Sequence, residues 1–208
     1  MSVGKLHNRV AIVTGAAQGI GAGIALELAS NGADVCVNYV GDSVQTQDIM
    51  SQIQKLGRRA IAYEADVSDR AAVEMMVEHT IKTLGPVSIL VTNAICSVRN
   101  SILDTKFEEL QRTLNVGIYG VFHCMQVVAR IMVRDQIKGA IVHVSSPHAR
   151  GPFKNAIDYN VAKAASLQLA LSSANELMWK GIRVNVVQPG WTITPGIMRA
   201  SIVVNLSR

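Results

Sequence analysis

Six short, unbroken apolar runs alternate with segments of helical spacing, and that alternation most restricts what this chain can fold into. The runs are Val10–Val13, Val35–Val37, Ala60–Tyr63, Ile89–Val91, Ala140–Val144 and Val184–Val187. Between them, helical spacing covers Gly19–Ala29, Ser43–Leu56, Ala71–Leu84, 104–115, 117–134 and Asp158–Trp179. Continuous apolar runs suit strands buried on both faces. Strands that alternate with helices predict a parallel sheet covered by helices on both sides. The punctuation agrees: Asn31-Gly32 precedes the second run, Gly57 ends the second helix and Gly85-Pro86 ends the third. Ser68 or Asp69 is the expected N-cap of that third helix.

A length of 208 residues favours one domain, 1–208, with no linker or repeat inside it. The chain is 49% apolar and only 17% charged, which excludes a disordered or solvating chain. Aromatics are 4%, too few for base-stacking platforms. The net charge is +5, but the only adjacent basic pair is Arg58–Arg59 and no basic stripe develops, so no nucleic-acid partner is expected. The longest apolar segment, Val116–Val133, is interrupted by His123, Gln126 and Arg130 and reads as a buried helix, with no membrane role. The N-terminus has no signal-peptide stretch. Cys36, Cys96 and Cys124 form no CxxC and no metal-spaced cluster. They read as reduced thiols of a cytoplasmic protein, and no metal is expected.

Three constellations carry chemistry. Thr14-Gly15-Ala-Ala-Gln18-Gly19-Ile20-Gly21 follows the first strand directly and opens a helix. There, glycines let backbone turn tightly against a pyrophosphate while the helix offers free N–H groups. The alternative is a set of turn glycines in a helix-packing loop. Tyr159 and Lys163 sit four apart on the last helix and share a face. A free phenol has pKa ~10, and bringing it to ~7 requires ~4 kcal/mol, toward which a nearby cation contributes. Ser145-Ser146 ends the fifth strand, with Ser146 13 residues before Tyr159. Ligands of open α/β sheets sit at such carboxyl ends.

Together these residues resemble the short-chain dehydrogenase/reductase family, over about residues 5–198. Thr14–Gly21 is similar to its TGxxxGxG loop, and Asp66-Val67 to its adenine-contacting acid. Thr92-Asn93-Ala94-Ile95 stands where the family has NNAG, and Leu114-Asn115-Val116 carries its helix asparagine. Ser146, Tyr159 and Lys163 resemble its serine, tyrosine and lysine, and Pro189-Gly190-Trp191-Thr192-Ile193-Thr194 its nicotinamide segment. Glucose dehydrogenase-type and 3-oxoacyl reductase-type members look most similar.

The resemblance implies a Rossmann-type, doubly wound α/β fold with strand order 3-2-1-4-5-6. It implies an NAD(P)-dependent oxidoreductase acting on a small alcohol or carbonyl substrate. Tyr159 would be the acid/base, Lys163 would lower its pKa and bind ribose, Ser146 would polarise the carbonyl, and Asn115 would hold a relay water. Thr14, Gly15, Gln18, Gly19, Ile20, Gly21, Tyr39, Asp66, Val67, Asn93, Ala94, Pro189, Gly190, Thr192 and Thr194 would contact the cofactor, with Tyr159 and Lys163.

Some residues depart from the pattern. Ile95 replaces the family's glycine, and a β-branched residue does not take positive φ cheaply, so an altered cofactor fit is expected there. Thr92 replaces the first asparagine. The tip of the second strand, Asn38-Tyr39-Val40, offers neither the acid of NAD enzymes nor the Arg of NADP enzymes. No Lys or Arg occurs between Arg9 and Lys55, which leans to NAD(H), although Ser43 or a distant Arg would serve NADP(H). His148, Arg150 and Lys154 read either as a solvated loop or as a pocket mouth favouring polar or anionic substrates. The other histidines, His143 among them, read as structural.

Only 18 residues follow Gly190, so a seventh strand and a covering segment are expected to be missing. That predicts an unpaired edge at Val184–Val187, partly covered by Ile202–Val204, and hence homo-oligomers. The rival reading is a cofactor-binding protein with little or no turnover, acting as a sensor or partner-binding form.

Overall fold

The structure is a computed structural model and describes residues 4–41 and 44–194. Ser43 and the tail segment Ile202–Val204 lie outside the described residues, as does the stretch on which the expected loss of a seventh strand turns.

Six strands form one parallel sheet: β1 (Val10–Val13), β2 (Asp34–Tyr39), β3 (Ala60–Glu64), β4 (Val87–Thr92), β5 (Ala140–Val144) and β6 (Arg183–Val187). Their order is β3-β2-β1-β4-β5-β6, as expected. The helices are α1 (Gly19–Ser30), α2 (Val44–Lys55), α3 (Arg70–Leu84), α4 (Phe107–Leu114), α5 (Val121–Arg134) and α6 (Ile157–Leu177). Side chains of a strand alternate between faces, and β1 uses this to build two cores. Val10 and Ile12 pack with α3 and α5 residues such as Met76, Val77, Met125 and Val128. Ala11 and Val13 pack on the opposite face with Ala22, Ala25 and Ala29 of α1 and Ile49 and Ile53 of α2.

The inner strands are buried on both faces, most completely β1 and β4. The edge strands are not, which corrects the expectation of uniformly buried runs. β6 exposes Arg183, Asn185 and Val187 and half-buries Val184 and Val186.

The expected break near residue 116 is absent. Residues 115–120 form a wider, π-type turn that joins α4 to α5, so Phe107–Arg134 is one helical unit. Its length and composition would suffice to cross a membrane, yet α5 packs against β4 and α3 and half of its apolar window is buried. The Arg58–Arg59 pair is also accounted for. Both guanidiniums pair with the buried Asp34 at the start of β2, at 2.6 and 2.7 Å. Burial alone would raise the Asp34 pKa, but the Arg59 hydrogen bonds and the two cations hold it below the usual range. Asp69 caps α3 by accepting from the Ala71 and Ala72 amides.

Candidate active site

The loop after β1 is wired to its neighbours before it meets any ligand. Thr14 is 1% exposed, and its Oγ1 accepts from the backbone amides of Asn93 at 2.9 Å and Ala94 at 3.1 Å. The Asn93 amide group donates back to the carbonyls of Thr14 and Gly15. Asn38, buried at the tip of β2, accepts from the Gly15 amide at 3.2 Å and donates to the carbonyls of Tyr63 and Ala65. Three strand ends thus fix one loop.

The glycines there are required by close approach. A Cβ on Gly15 would lie 2.9 Å from the Ala94 Cα, and its φ of +61° is one that side chains resist. A Cβ on Gly21 would strike the Gly15 carbonyl oxygen. Gln18 precedes α1 without capping it through its side chain, so the amides of the first turn remain available to an anion.

A cleft of about 1360 Å³ runs from this loop across the carboxyl ends of the strands. Gly15, Gln18, Gly19, Ile20, Gly21, Tyr39, Asp66, Val67, Asn93 and Ala94 line it, as do Ser146, Tyr159, Lys163, Pro189, Gly190, Thr192 and Thr194. Two expected residues do not. Thr14 is buried beneath the loop as its anchor. Asn115 is half-buried at the start of the π-type turn, outside the lining. That turn reaches α6 because Gly117 has no side chain: a Cβ there would lie 2.9 Å from the Ala162 Cβ.

Lys163 is 4% exposed, and its ammonium donates to the Val144 carbonyl at the end of β5, 2.7 Å away. Its Nζ lies 5.6 Å from the Tyr159 ring centroid. Burial, and then the charge of Arg99, push its pKa down to about 8. Ser146 is buried at the end of β5, with its Oγ 3.1 Å from His148 Nδ1. The His148 ring meets the Tyr159 ring edge-on at 5.0 Å and stacks on Phe153 at 4.1 Å. Trp191 closes this aromatic wall. Burial and the charges of Arg99 and Lys163 lower the His148 pKa, so the ring is neutral near pH 7.

Behind the cleft, His143 joins Thr92 Oγ1 at 3.0 Å to Ser166 Oγ at 3.1 Å. Burial, then Lys163, drive the His143 pKa to about 3. Thr92 therefore does the work of orienting a core histidine where an asparagine was expected. Asp66 accepts from Ser68 and pairs with Arg112 at 2.8 Å. Burial would raise its pKa, but the Ser68 and Arg112 contacts hold it low.

Ile95 does not take positive φ; among the described non-glycine residues only Asn8, Arg99, Gln136 and Asn155 do. Its side chain reaches into the space beside Gly117, where a Cβ would come within 2.7 Å of the Ile95 Cδ1. The expected backbone conflict is thus absent, and the strained position is Arg99 instead.

Sequence reasoning passed over three residues of the site. Asn38 read only as a missing acid, although it braces the glycine loop. Asp158 is fully buried and accepts from the Val98 amide and the Thr113 hydroxyl. Arg99 holds its guanidinium 4.5 Å over the Tyr159 ring centroid. An acid directly before the tyrosine was a readable signal for the second; nothing local in the sequence marked the third.

A glycine-anchored cleft over a 3-2-1-4-5-6 sheet, with a serine, tyrosine and lysine at its far wall, defines a class of nucleotide-dependent enzyme. Residues 9–202 match the short chain dehydrogenase family, and the chain belongs to it. It is 35% identical to an L-rhamnose 1-dehydrogenase (NAD(P)(+)) of Sphingomonas sp. (strain SKA58), over 91% of this chain and 74% of the relative. It is 34% identical to a 3-oxoacyl-(acyl-carrier-protein) reductase of Staphylococcus aureus, over 88% of this chain and 74% of that one. A short chain dehydrogenase from Burkholderia cenocepacia J2315, solved in complex with NADP, superposes with a TM-score of 0.86 at 36% identity, covering 92% of this chain and 77% of that one. Acetoin dehydrogenase from Salmonella typhimurium superposes at 0.85 with 34% identity, covering 90% and 74%.

Proposed function

We propose that this protein interconverts an alcohol and a carbonyl compound with NAD(H) or NADP(H), using Tyr159 as acid/base. The observation that carries the reading is that Ser146, Tyr159 and Lys163 converge on one wall of a cleft whose other end is a glycine cradle. The cradle fits a dinucleotide: Gly15 and Gly21 let the loop close tightly on Ala94 and on itself, and the first turn of α1 offers amides to a pyrophosphate. Bound nicotinamide supplies hydride in one direction and accepts it in the other. Gln18, Gly19, Ile20, Tyr39, Asp66, Val67, Asn93, Ala94, Pro189, Gly190, Thr192 and Thr194 would line the cofactor, and Thr14 would hold the loop from beneath.

In reduction, the Tyr159 hydroxyl gives its proton to the substrate carbonyl oxygen, and Ser146 Oγ donates a hydrogen bond to the same atom. Lys163 keeps a positive charge beside the phenol, braced by its bond to Val144. Asn115 serves as the relay residue. Its support is position: it opens the turn that Gly117 brings against α6 beside Ala162, next to Lys163. In oxidation each proton moves the other way.

The same reading makes the chain one dinucleotide-binding unit, cytoplasmic and self-associating. Three unpaired cysteines support the compartment. The outer edge of β6, which pairs with no further strand among the described residues, supports self-association.

The test is a fluorescence titration with NADH and NADPH followed by turnover of a panel of ketones, aldehydes and secondary alcohols. Saturable cofactor binding with turnover of at least one carbonyl is expected. Binding without turnover of any would favour a sensor.

A further inference from the structure

We propose that Arg99 is a specificity-determining residue that binds an oxyanion on the substrate, so that the protein acts on carbonyl compounds carrying a carboxylate or phosphate. This rests on the reading that Tyr159 meets the reacting carbonyl.

Placement comes first. Arg99 lines the cleft, and its guanidinium carbon lies 4.5 Å over the Tyr159 ring centroid, where a substrate held by Tyr159 would have it as a neighbour. A guanidinium is the side chain best matched to two oxyanion oxygens at once.

The placement is also built. Arg99 has φ +57°, an uncommon conformation for a long side chain. The loop that carries it is clamped one residue earlier, where the Val98 amide donates to Asp158 Oδ2 at 3.1 Å. Asp158 is fully buried and directly precedes Tyr159. One turn of α6 therefore presents the phenol and fixes the loop that presents the cation.

Finally, the charge is left over. Among the described residues Arg99 makes no ion pair and no hydrogen bond, only the contact with the ring. The two acids that line the cleft are engaged elsewhere: Asp66 with Arg112 and Ser68, Asp104 with Ser101. After burial, the Arg99 charge is the next cause that lowers the pKa of both Lys163 and His148, as expected of a cation without a counter-ion. Cation–π contact supplies part of its stabilisation; an anion would supply the rest.

The test is calorimetric titration of the full chain, with NAD(H) or NADP(H) present, by matched pairs. The pairs are acetoacetate and methyl acetoacetate, levulinate and methyl levulinate, and dihydroxyacetone phosphate and dihydroxyacetone. At least one anion is expected to bind about 10- to 100-fold tighter than its neutral partner. Which pair shows the preference separates carboxylate from phosphate. Arg99→Met should abolish the preference, and Arg99→Lys should keep part of it, which a merely structural contact would not require. The proposal is overturned if every neutral partner binds as tightly as its anion, if no anion binds, or if Arg99→Met leaves the preference intact. Turnover of the same compounds reports separately on the oxidoreductase reading: a protein that binds the anions through Arg99 yet reduces no carbonyl would sink that reading and not this one.

Discussion

Lys163 reaches from α6 to the end of β5, where its ammonium donates to the carbonyl oxygen of Val144 at 2.7 Å. The bond joins the helix that carries Tyr159 to the strand that leads into Ser146. A buried ammonium is costly unless it finds acceptors, and here it finds backbone. The lysine is therefore held in place before any ligand arrives, so the wall of the cleft is preorganised.

Lys163 carries its charge below about pH 8 and loses it above. If that charge supports turnover, kcat/KM for carbonyl reduction should fall on the alkaline side with an apparent pKa near 8. Arg99 is a cause of the depression. Arg99→Met should therefore move the alkaline limb to higher pH. A pH–rate profile of both proteins checks this, and an alkaline limb that stays in place would separate Arg99 from Lys163.

His143 should make the fold acid-sensitive. Its folded-state pKa of about 3 lies below the ordinary 6.5. Between those values the unfolded chain takes up a proton that the fold refuses. Stability from this group is complete above about pH 6.5 and falls as pH drops toward 3, by up to about 1.4 kcal/mol per pH unit. Urea unfolding at several pH values should show a shallower acid slope in His143→Gln, which stays polar but carries no group that titrates in this range.

The strands themselves and the glycine loop were legible because both are written locally, as apolar runs and as glycines between a strand and a helix, whereas the order of the strands came from the family resemblance. Ser146, Tyr159 and Lys163 were legible through their spacing. What escaped were contacts between distant segments. Asn38 reads as an empty position at a strand tip, yet it hydrogen-bonds across to Gly15. His143 shows no neighbour in sequence, and its partners come from β4 and α6. Arg99 becomes a site residue only because Asp158, 60 positions from Val98, holds the loop. The positive φ that Ile95 would resist is not imposed on it, because φ belongs to the folded loop and not to a motif: the left-handed residue there is Arg99.

The glycine cradle predicts a contrast between two alanine substitutions. Gly21→Ala would drive a Cβ into the Gly15 carbonyl and to 2.5 Å from Asn93 Nδ2. It should cost about 1–3 kcal/mol of stability and most of the cofactor affinity. Gly57→Ala meets open space at φ +74°. It should cost about 1 kcal/mol from backbone strain alone and leave cofactor affinity unchanged. Melting curves and cofactor titrations of both variants decide the matter.

The tip of β2 predicts cofactor preference. Tyr39 and Val40 line the cleft there, and no Lys or Arg occurs between Arg9 and Lys55. The unmodified chain should bind NAD(H) more tightly than NADP(H), and Val40→Arg should shift the ratio toward NADP(H) by offering a phosphate partner. Calorimetric Kd values for both cofactors check it, and tighter NADP(H) binding by the unmodified chain would refute the charge argument.

The assignment of Tyr159 is tested most directly by Tyr159→Phe, which removes one oxygen and keeps the ring that packs against His148 and Arg99. Turnover and cofactor Kd should be measured on the same preparation. The account predicts a loss of about 10²–10⁴ in kcat, the usual worth of general acid–base catalysis, with the cofactor Kd nearly unchanged. A variant that keeps near-normal kcat would contradict it.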